Sequence, residues 1–461
     1  MQKADKKLIC ADLFAKQQVL VVGLGKTGVS CLKFLMERNV NFAVMDSREQ
    51  PPGMFEVKNL YPGVEIHTGR LNEELIKQFD VLIVSPGVSL KEHALQFAAE
   101  LGKQLIGDIE ILAMCTSKPI VAITGSNGKS TVTTLLGEMA RQAKLNVVVA
   151  GNIGMPVLEN INEDAEVDLY CLELSSFQLE TTHSLNAVAS TILNISEDHL
   201  DRYDSVNEYA AAKHKIISGN GYVIVNLDEP NVLSLIRDDI ETRQTLGFTL
   251  NKPVSDDQFG LIEKNNEDWL AQGNKCLIPV SELKIKGQHN VANVLAALAV
   301  GTAISLPMPA MLEAARRFTG LPHRTQWVTE ANGVQWFNDS KATNVGATIA
   351  ALKGLATDNL ILILGGLGKG QDFSELGKVV QQHTKLVLVL GEDAELITQA
   401  IGSETKVEIV KDLKEAIEVA HRHAVEGDFV LLSPACASFD MFDGYEHRGN
   451  EYMRLVREMV L

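Results

Sequence analysis

The sequence predicts an α/β protein of three consecutive domains built largely on parallel sheets. Two glycine-rich turns, at residues 23–28 and 125–128, each leave an apolar β-branched run and open a helical pattern. From residue 359 onward, apolar runs of strand length alternate with helical stretches, as in a parallel sheet with crossover helices. The length, 461 residues, suits about three domains. The expected limits are 1–113, 114–320 and 321–461.

Composition narrows the function classes. Apolar residues make up 46% and charged residues 22%, enough to build ordinary cores. A net charge of -17 argues against a nucleic-acid or anionic-membrane surface, so anionic ligands must be held by local donors. The six cysteines form no C-x-x-C pair, which points to buried free thiols in a reducing compartment rather than a zinc site. No run of 18 apolar residues and no secretory h-region occurs. The expectation is a cytoplasmic protein acting as a monomer, with small-molecule substrates and neither nucleic-acid nor membrane partners.

In the first domain, Gln18 to Val22 reads as a strand leading into Gly23-Leu24-Gly25-Lys26-Thr27-Gly28, a G-x-G-x-x-G turn that opens a helix through Met36. A second strand, Asn41 to Met45, ends at Asp46. This is a Rossmann-like fingerprint with its acid in place, and it fits either NAD or another diphosphate nucleotide: the physics is only a phosphate on a helix N-terminus and an acid near a sugar or base. Asp80 to Ser85 is a further strand, and Ser85-Pro86-Gly87 turns on the same ligand-binding edge.

The second domain opens on Ile120 to Thr124, Gly125-Ser126-Asn127-Gly128 and a helix with Val132, Leu135, Leu136 and Met139 on its inner face. The strand, loop and helix make a phosphate cradle of P-loop type, shortened because Ile123 stands where the usual spacing has glycine. Lys129 is placed to reach the terminal phosphates of a nucleoside triphosphate, and the Ser130 or Thr131 hydroxyl to ligate Mg2+. Asn146 to Ala150 is a strand closing on Gly151-Asn152-Ile153-Gly154. Val167 to Leu172 ends in Glu173, an oxygen ligand for Mg2+ at a strand tip. Val188 to Leu193 leads to Asp198, His199 and Asp201, a metal or substrate group. Ser205 and Glu208 form a capping box; in the helix that follows, periodicity alone makes Lys213 a solvated lysine. Tyr222 to Asn226 is a strand, and Val254 to Leu277 reads as hairpins. Asn290 and Asn293 lie at i, i+3 of a helix, a spacing suited to reading an adenine edge or to capping.

The third domain begins near Leu321. His323-Arg324 precedes a strand, and Trp336 to Asn338 leads into Asp339-Ser340-Lys341-Ala342-Thr343-Asn344. Strands are expected at Asn359 to Leu364, Lys385 to Leu390, Lys406 to Val410 and Phe429 to Leu432. Gly365 to Gly370 and Ser433 to Ser438 each leave a strand end.

These blocks taken together resemble the Mur ligases. The resemblance rests on GSNGKST at 125–131, AGNIG at 150–154, LELSSFQLE at 172–180, EDHLDRY at 197–203, YAAAK at 209–213, GQHNVAN at 287–293, HR at 323–324, DSKATN at 339–344 and SPACASFDMF at 433–442. Within the family, LELSSFQLE, SPACAS and the absence of a DNPR-type block favour the branch that adds D-glutamate.

The resemblance implies ATP-dependent ligation of D-glutamate to UDP-N-acetylmuramoyl-L-alanine through an acyl phosphate, releasing ADP, in peptidoglycan precursor synthesis. It reassigns the first glycine fingerprint to a UDP-sugar held by Gly25, Lys26, Thr27, Gly28, Asp46, Ser47, Arg48, Ser85 and Gly87, with Gly151, Asn152, Ser175 and His199 meeting the rest of that substrate. ATP would contact Gly125, Asn127, Gly128, Lys129, Ser130, Thr131, Asn290, Asn293, Arg324 and Asp339, with Lys341 also at the phosphates. Ser130 and Glu173 would hold one Mg2+, and His199 with a carbamylated Lys213 a second. Thr343, Lys369, Ser438, Phe439 and Tyr445 would grip D-glutamate. An ATP site drawn from the second and third domains implies closure during turnover.

Overall fold

The computed structural model describes residues 10, 12–196, 202–355, 357, 359–368 and 370–460. The chain divides into two compact units: residues up to Ile278 with Asn293–Ala315, and Pro279–Ala292 with Arg316–Leu461.

The first unit carries two sheets. The N-terminal one contains β1 (Val19–Val22), β2 (Phe42–Asp46), β3 (Glu65–Thr68), β4 (Val81–Val84) and β5 (Gln104–Ile106), in the order β3-β2-β1-β4-β5 with every pair parallel. Its central strands are apolar throughout because both faces are covered. Val19 and Val21 join one core cluster while Leu20 and Val22 join the other, the two-residue period of a strand. The helix Asp108–Cys115 leads out of this sheet and runs across the expected limit at residue 113.

The central sheet contains β6 (Ile120–Thr124), β7 (Val147–Gly151), β8 (Leu169–Glu173), β9 (Ala189–Ile192), β10 (Tyr222–Asn226), β11 (Thr245–Phe248), β12 (Gln258–Lys264), β13 (Glu267–Gln272) and β14 (Lys275–Pro279). Their order is β14-β13-β12-β11-β10-β9-β6-β8-β7. The five strands β6 to β10 pair in parallel. The expected hairpin region appears as β12 and β13, antiparallel around Asn265 and Asn266, both at positive φ as a tight hairpin turn demands. Helix Lys129–Gln142 buries Val132, Leu135, Leu136 and Met139, the face its periodicity gave.

The sheet of the second unit contains β15 (Gln326–Ala331), β16 (Val334–Asn338), β17 (Leu360–Gly365), β18 (Thr384–Leu390), β19 (Val407–Ile409) and β20 (Phe429–Leu432), in the order β15-β16-β20-β17-β18-β19. Five of these are parallel, as expected. The sixth, whose direction the sequence reading left open, is antiparallel: β15 and β16 form a hairpin turned by Asn332 and Gly333 at positive φ.

Candidate functional site

Strand order decides where the chemistry sits. β9, β6, β8 and β7 are neighbours, and register sets Glu173 opposite both Ile123 and Gly151. The strand tips carrying the phosphate loop, the buried acid and the second glycine turn therefore form one edge.

The loop after β6 turns on Gly125 (φ 154) and Gly128 (φ 81). Gly128 caps the helix Lys129–Gln142 in the left-handed region, and a Cβ there would run into the Asn293 side chain. Among the described residues no side chain caps this helix, and no acid occupies its first turn, a helix N-terminus suited to an anion. Asn127 is pinned from both sides: its N–H donates to Asn194 Oδ1 (2.8 Å), and Asn194 Nδ2 donates to its carbonyl (3.2 Å). Asn194, at the end of β9, is a bracing residue that sequence reasoning passed over. Ser130 and Thr131 are half-buried in the first helical turn.

Lys213 corrects the solvated reading. It is 2% exposed, lies 4.5 Å from the Tyr209 ring centroid, and its Nζ donates to Gly125 O (2.9 Å) and Thr124 Oγ1 (3.3 Å). Lys129 Nζ donates to the same Gly125 oxygen (2.7 Å) and to Ser126 O (2.8 Å). Two lysine side chains thus converge on one carbonyl at the cradle. Glu173 is 1% exposed; Asn152 Nδ2 donates to its Oε1 (2.8 Å), whereas Oε2 is buried with no hydrogen-bond partner among the described residues. A carboxylate oxygen left bare in the interior is costly, and a divalent cation is a group that satisfies it. Asp198, His199 and Asp201 lie outside the described residues.

A cavity of about 600 Å³ opens beside this edge, within the size range of small-molecule sites. Its walls include Gly25, Lys26, Thr27, Asp46, Ser47, Arg48, Ser85 and Gly87 from the N-terminal sheet, and Gly151, Asn152 and Gln178 from the central one. Among the described residues the helix Lys26–Glu37 has no side-chain cap, and it has no first-turn acid, again an N-terminus suited to an anion. Gly28 is off the wall: a Cβ there would press into the Gly23 carbonyl, so it serves close packing of helix on strand. Ser85 Oγ donates to that carbonyl at 2.7 Å.

Asp46 is 1% exposed and already saturated. Arg48 N and Nε donate to Oδ1 (2.9 Å each), and Leu24 N and Arg48 Nη2 donate to Oδ2 (2.6 Å each). Burial alone would raise the Asp46 carboxyl; the Arg48 fork and the Leu24 amide outweigh it and hold the group below the usual range. The acid that an NAD site would turn toward a ribose has no acceptor to spare. This weighs against the dinucleotide alternative; Ser47 and Arg48 line the cavity beside it.

Ser175 is not on the cavity wall. It caps the helix Ser176–Glu180 in a full capping box with Gln178, a Ser-x-x-Gln signal readable in the sequence and missed there. The Ser205 box is incomplete: Ser205 Oγ accepts from Glu208 N, but Glu208 returns to Asp204 N. Asp108 accepts from Ile109 N (3.0 Å) and from the Gln178 side chain. Burial pushes its carboxyl up to about 6. The folded state then keeps a proton that the unfolded chain loses near pH 3.9. Stability should fall as pH rises between about 4 and 6, by on the order of 2 kcal/mol. Denaturant melts across that window check this, and Asp108→Asn should reduce the dependence, leaving the share of Asp339, whose buried carboxyl is also raised to about 6.

In the second unit, Asp339 is 7% exposed and holds the strand-end loops: Thr325 N donates to Oδ1 (2.9 Å) and Ser433 Oγ to Oδ2 (2.7 Å). Burial raises its carboxyl to about 6 despite those bonds and the nearby Arg324. His323 (φ 60) and Thr325 (φ 40) put exposed Arg324 on a strained corner, the kind of backbone found at functional sites. Exposed Lys341 lies 5.4 Å from the Tyr445 ring centroid. Ser438 is buried, Phe439 is 66% exposed and Thr343 is half-buried; Lys369 lies outside the described residues. Arg448, unsuspected from the sequence, is buried and donates to Ser340 Oγ (3.0 Å), Ser340 O (2.9 Å) and Cys436 O (3.1 Å), tying two of these loops together. Burial draws its guanidinium down to about 10. Asn290, also in this unit, donates to Lys286 O (2.8 Å). Among the described residues no helix is long and apolar enough to cross a membrane.

Comparison with known proteins bears on the whole chain. Residues 17–107 match the Mur ligase MurD-like N-terminal domain, 123–301 the Mur ligase middle domain, and 323–436 the Mur ligase glutamate ligase domain. The chain is 50% identical over 452 residues to the UDP-N-acetylmuramoylalanine–D-glutamate ligase of Pseudomonas savastanoi pv. phaseolicola, covering 97% of this chain and 99% of that one. The like-named Pseudomonas aeruginosa protein is 49% identical over 456 residues, covering 98% and 100%. Among solved structures, the UDP-N-acetylmuramate–alanine ligase of Thermotoga maritima is similar in fold, with a TM-score of 0.55 at 16% identity, covering 96% of this chain and 99% of that one. MurF of Acinetobacter baumannii gives 0.56 at 16% identity, covering 92% and 88%. From the phosphate cradle to the third sheet, the chain belongs to the Mur ligase family.

Proposed function

We propose that this site joins D-glutamate to the carboxylate of UDP-N-acetylmuramoyl-L-alanine, with ATP converted to ADP and phosphate. One observation carries the geometric side of the reading. Asn152 lines the nucleotide-sugar cavity and also holds Glu173, the buried acid beside the phosphate loop. A substrate in the cavity therefore ends where a triphosphate begins.

The chemistry follows from placement and charge rather than covalent help. The helix at Lys26–Glu37 takes the diphosphate of UDP, with Lys26, Thr27, Ser85 and Gly87 around it and Ser47 and Arg48 toward the base. The substrate carboxylate attacks the γ-phosphorus while Lys129 and the loop amides of Gly125 to Thr131 neutralise the transferring group. The D-glutamate amine then attacks the acyl carbon, and phosphate leaves. We assign Arg324, Asp339 and Lys341 to the nucleotide, Asn290 and Asn293 to adenine, and Thr343, Lys369, Ser438, Phe439 and Tyr445 to D-glutamate. A cation and hydroxyl donors are what its two carboxylates need.

Ser130 and Glu173 would hold one Mg2+, which supplies charge neutralisation at the β- and γ-phosphates. Glu173→Gln should raise the Mg2+ concentration for half-maximal activity at least about tenfold. A Mg2+ titration of ADP release checks this, with a melting curve to confirm folding. His199 and a carbamylated Lys213 would hold a second ion. The burial of Lys213 beside the phosphate loop supports this, because adding CO2 to its amine there gives an anionic oxygen donor within the cradle. We place the reaction in the cytoplasm and assign it to a monomer.

The test is ADP release with a panel of amino acids in the presence of the muramyl nucleotide and Mg2+. D-Glutamate alone should support it, with L-alanine, L-glutamate and diaminopimelate at least about a hundredfold lower. Equal release with L-alanine would overturn the assignment.

A further inference from the structure

The wall of the nucleotide-sugar cavity is held from behind by a residue that none of the assigned roles uses. Pro86, Gly87 and Val88 line that cavity on the turn after β4. Arg202, from the central domain, donates through Nη1 to Pro86 O (2.8 Å) and through Nη2 to Val88 O (3.2 Å). Its Nη2 also donates to Glu180 Oε2 at 2.7 Å, and the guanidinium lies 3.9 Å from the Phe177 ring centroid. The Arg202 side chain is 11% exposed and that of Glu180 16%, so the ion pair is screened far less than a surface one.

Glu180 and Phe177 sit on the short helix that carries Gln178, itself on the cavity wall. The planar fork therefore spans two walls of one cavity. Nη1 and Nη2 grip main-chain oxygens of the N-terminal domain, Nη2 is shared with the Glu180 carboxylate, and the Phe177 ring covers the guanidinium face. From Phe177 an aromatic series continues inward. Its ring stacks on Tyr203 (6.0 Å, 23°), Tyr203 lies 5.4 Å from Tyr209, and the Tyr209 hydroxyl is 3.3 Å from Ser126 Oγ in the phosphate loop. The same turn makes a second, exposed contact: Lys91 pairs with Asp204 (3.0 Å) and Glu208 (3.2 Å) without touching the cavity wall.

We infer that Arg202 is a positioning residue for the nucleotide-sugar: it fixes the Pro86–Val88 turn against the helix Ser176–Glu180 and so sets the width of the cavity that receives UDP. This rests on the proposed UDP-sugar reading of that cavity. The residue touches neither substrate, so its loss should act on one ligand and spare the other.

Calorimetric titration of the full chain with UDP, and separately with a non-hydrolysable ATP analogue, tests it. Arg202→Met should weaken UDP binding at least about tenfold and leave the ATP analogue within about twofold, since charge-assisted hydrogen bonds to the turn are lost and the phosphate loop is not. Arg202→Lys keeps the charge beside Glu180 but cannot fork onto two carbonyls, and should weaken UDP about threefold or more. Lys91→Met should leave UDP affinity within about twofold, as an exposed pair contributes little. Unchanged UDP affinity in a folded Arg202→Met protein would overturn the inference. So would parallel loss of both ligands with a lowered melting temperature, or full affinity in Arg202→Lys if the methionine variant does not fold. A wild-type chain that binds no UDP would overturn the cavity reading and this inference with it, an outcome distinct from the others.

Discussion

Lys129→Met is expected to lower turnover by at least about a thousandfold, with the fold retained. The side chain is half-buried at the first position of the helix after the phosphate loop, and its ammonium rests on the Gly125 and Ser126 carbonyls. Those two contacts are local and replaceable, so methionine keeps the stem packed while deleting the charge. At the transition state the transferring phosphoryl group and the attacking carboxylate are both anionic, and the protein as a whole carries -17. Local cations must supply the neutralisation, and the distant field opposes them. Steady-state ADP release, alongside a melting curve, measures the effect. Activity within tenfold of wild type would contradict the role given to this lysine.

Lys213→Ala is the second large effect, at least about a hundredfold, and its signature is rescue. A buried lysine whose Nζ donates to Thr124 Oγ1 and Gly125 O would, as an ammonium, repel any divalent cation at Glu173. If its working form is the carbamate, the alanine variant lacks an anionic oxygen donor and an adjacent volume, which formate or acetate can fill. Added short carboxylates should restore part of the lost rate, and chloride at the same ionic strength should not. Normal activity in the variant, or rescue by neither salt, would count against the carbamate.

Much of the fold was legible in the sequence because strand and helix cores here carry strong local patterns. β6, β8 and β17 are short apolar runs ending in a glycine or an acid, and the helix Lys129–Gln142 buries the face its spacing gives. What stayed hidden depends on contacts distant in sequence. The alanines at 210–212 give the helix Val206–His214 no marked apolar stripe, so Lys213 looked solvated although the phosphate loop closes over it. Asp46 was found at the right strand end, but not that Arg48, two residues on, fills its lone pairs and changes its role from ligand acceptor to brace. Arg448 lies on an amphipathic terminal helix where an arginine usually faces water; only the return of that helix against the Ser340 and Cys436 loops buries it. The hairpin β15–β16 had a local signal, Asn332-Gly333, that went unread. The grouping of Pro279–Ala292 with the residues after Arg316 has no local signature, since it arises from where a distant segment folds back.

The account stands on transfer of the γ-phosphoryl group of ATP to a carboxylate presented beside the phosphate loop. The most direct measurement supplies UDP-N-acetylmuramoyl-L-alanine labelled with oxygen-18 in its free carboxylate, together with ATP, Mg2+ and D-glutamate, and weighs the released phosphate. An acyl phosphate requires one labelled oxygen to leave with each phosphate. Phosphate released in step with peptide but carrying no label would contradict the mechanism.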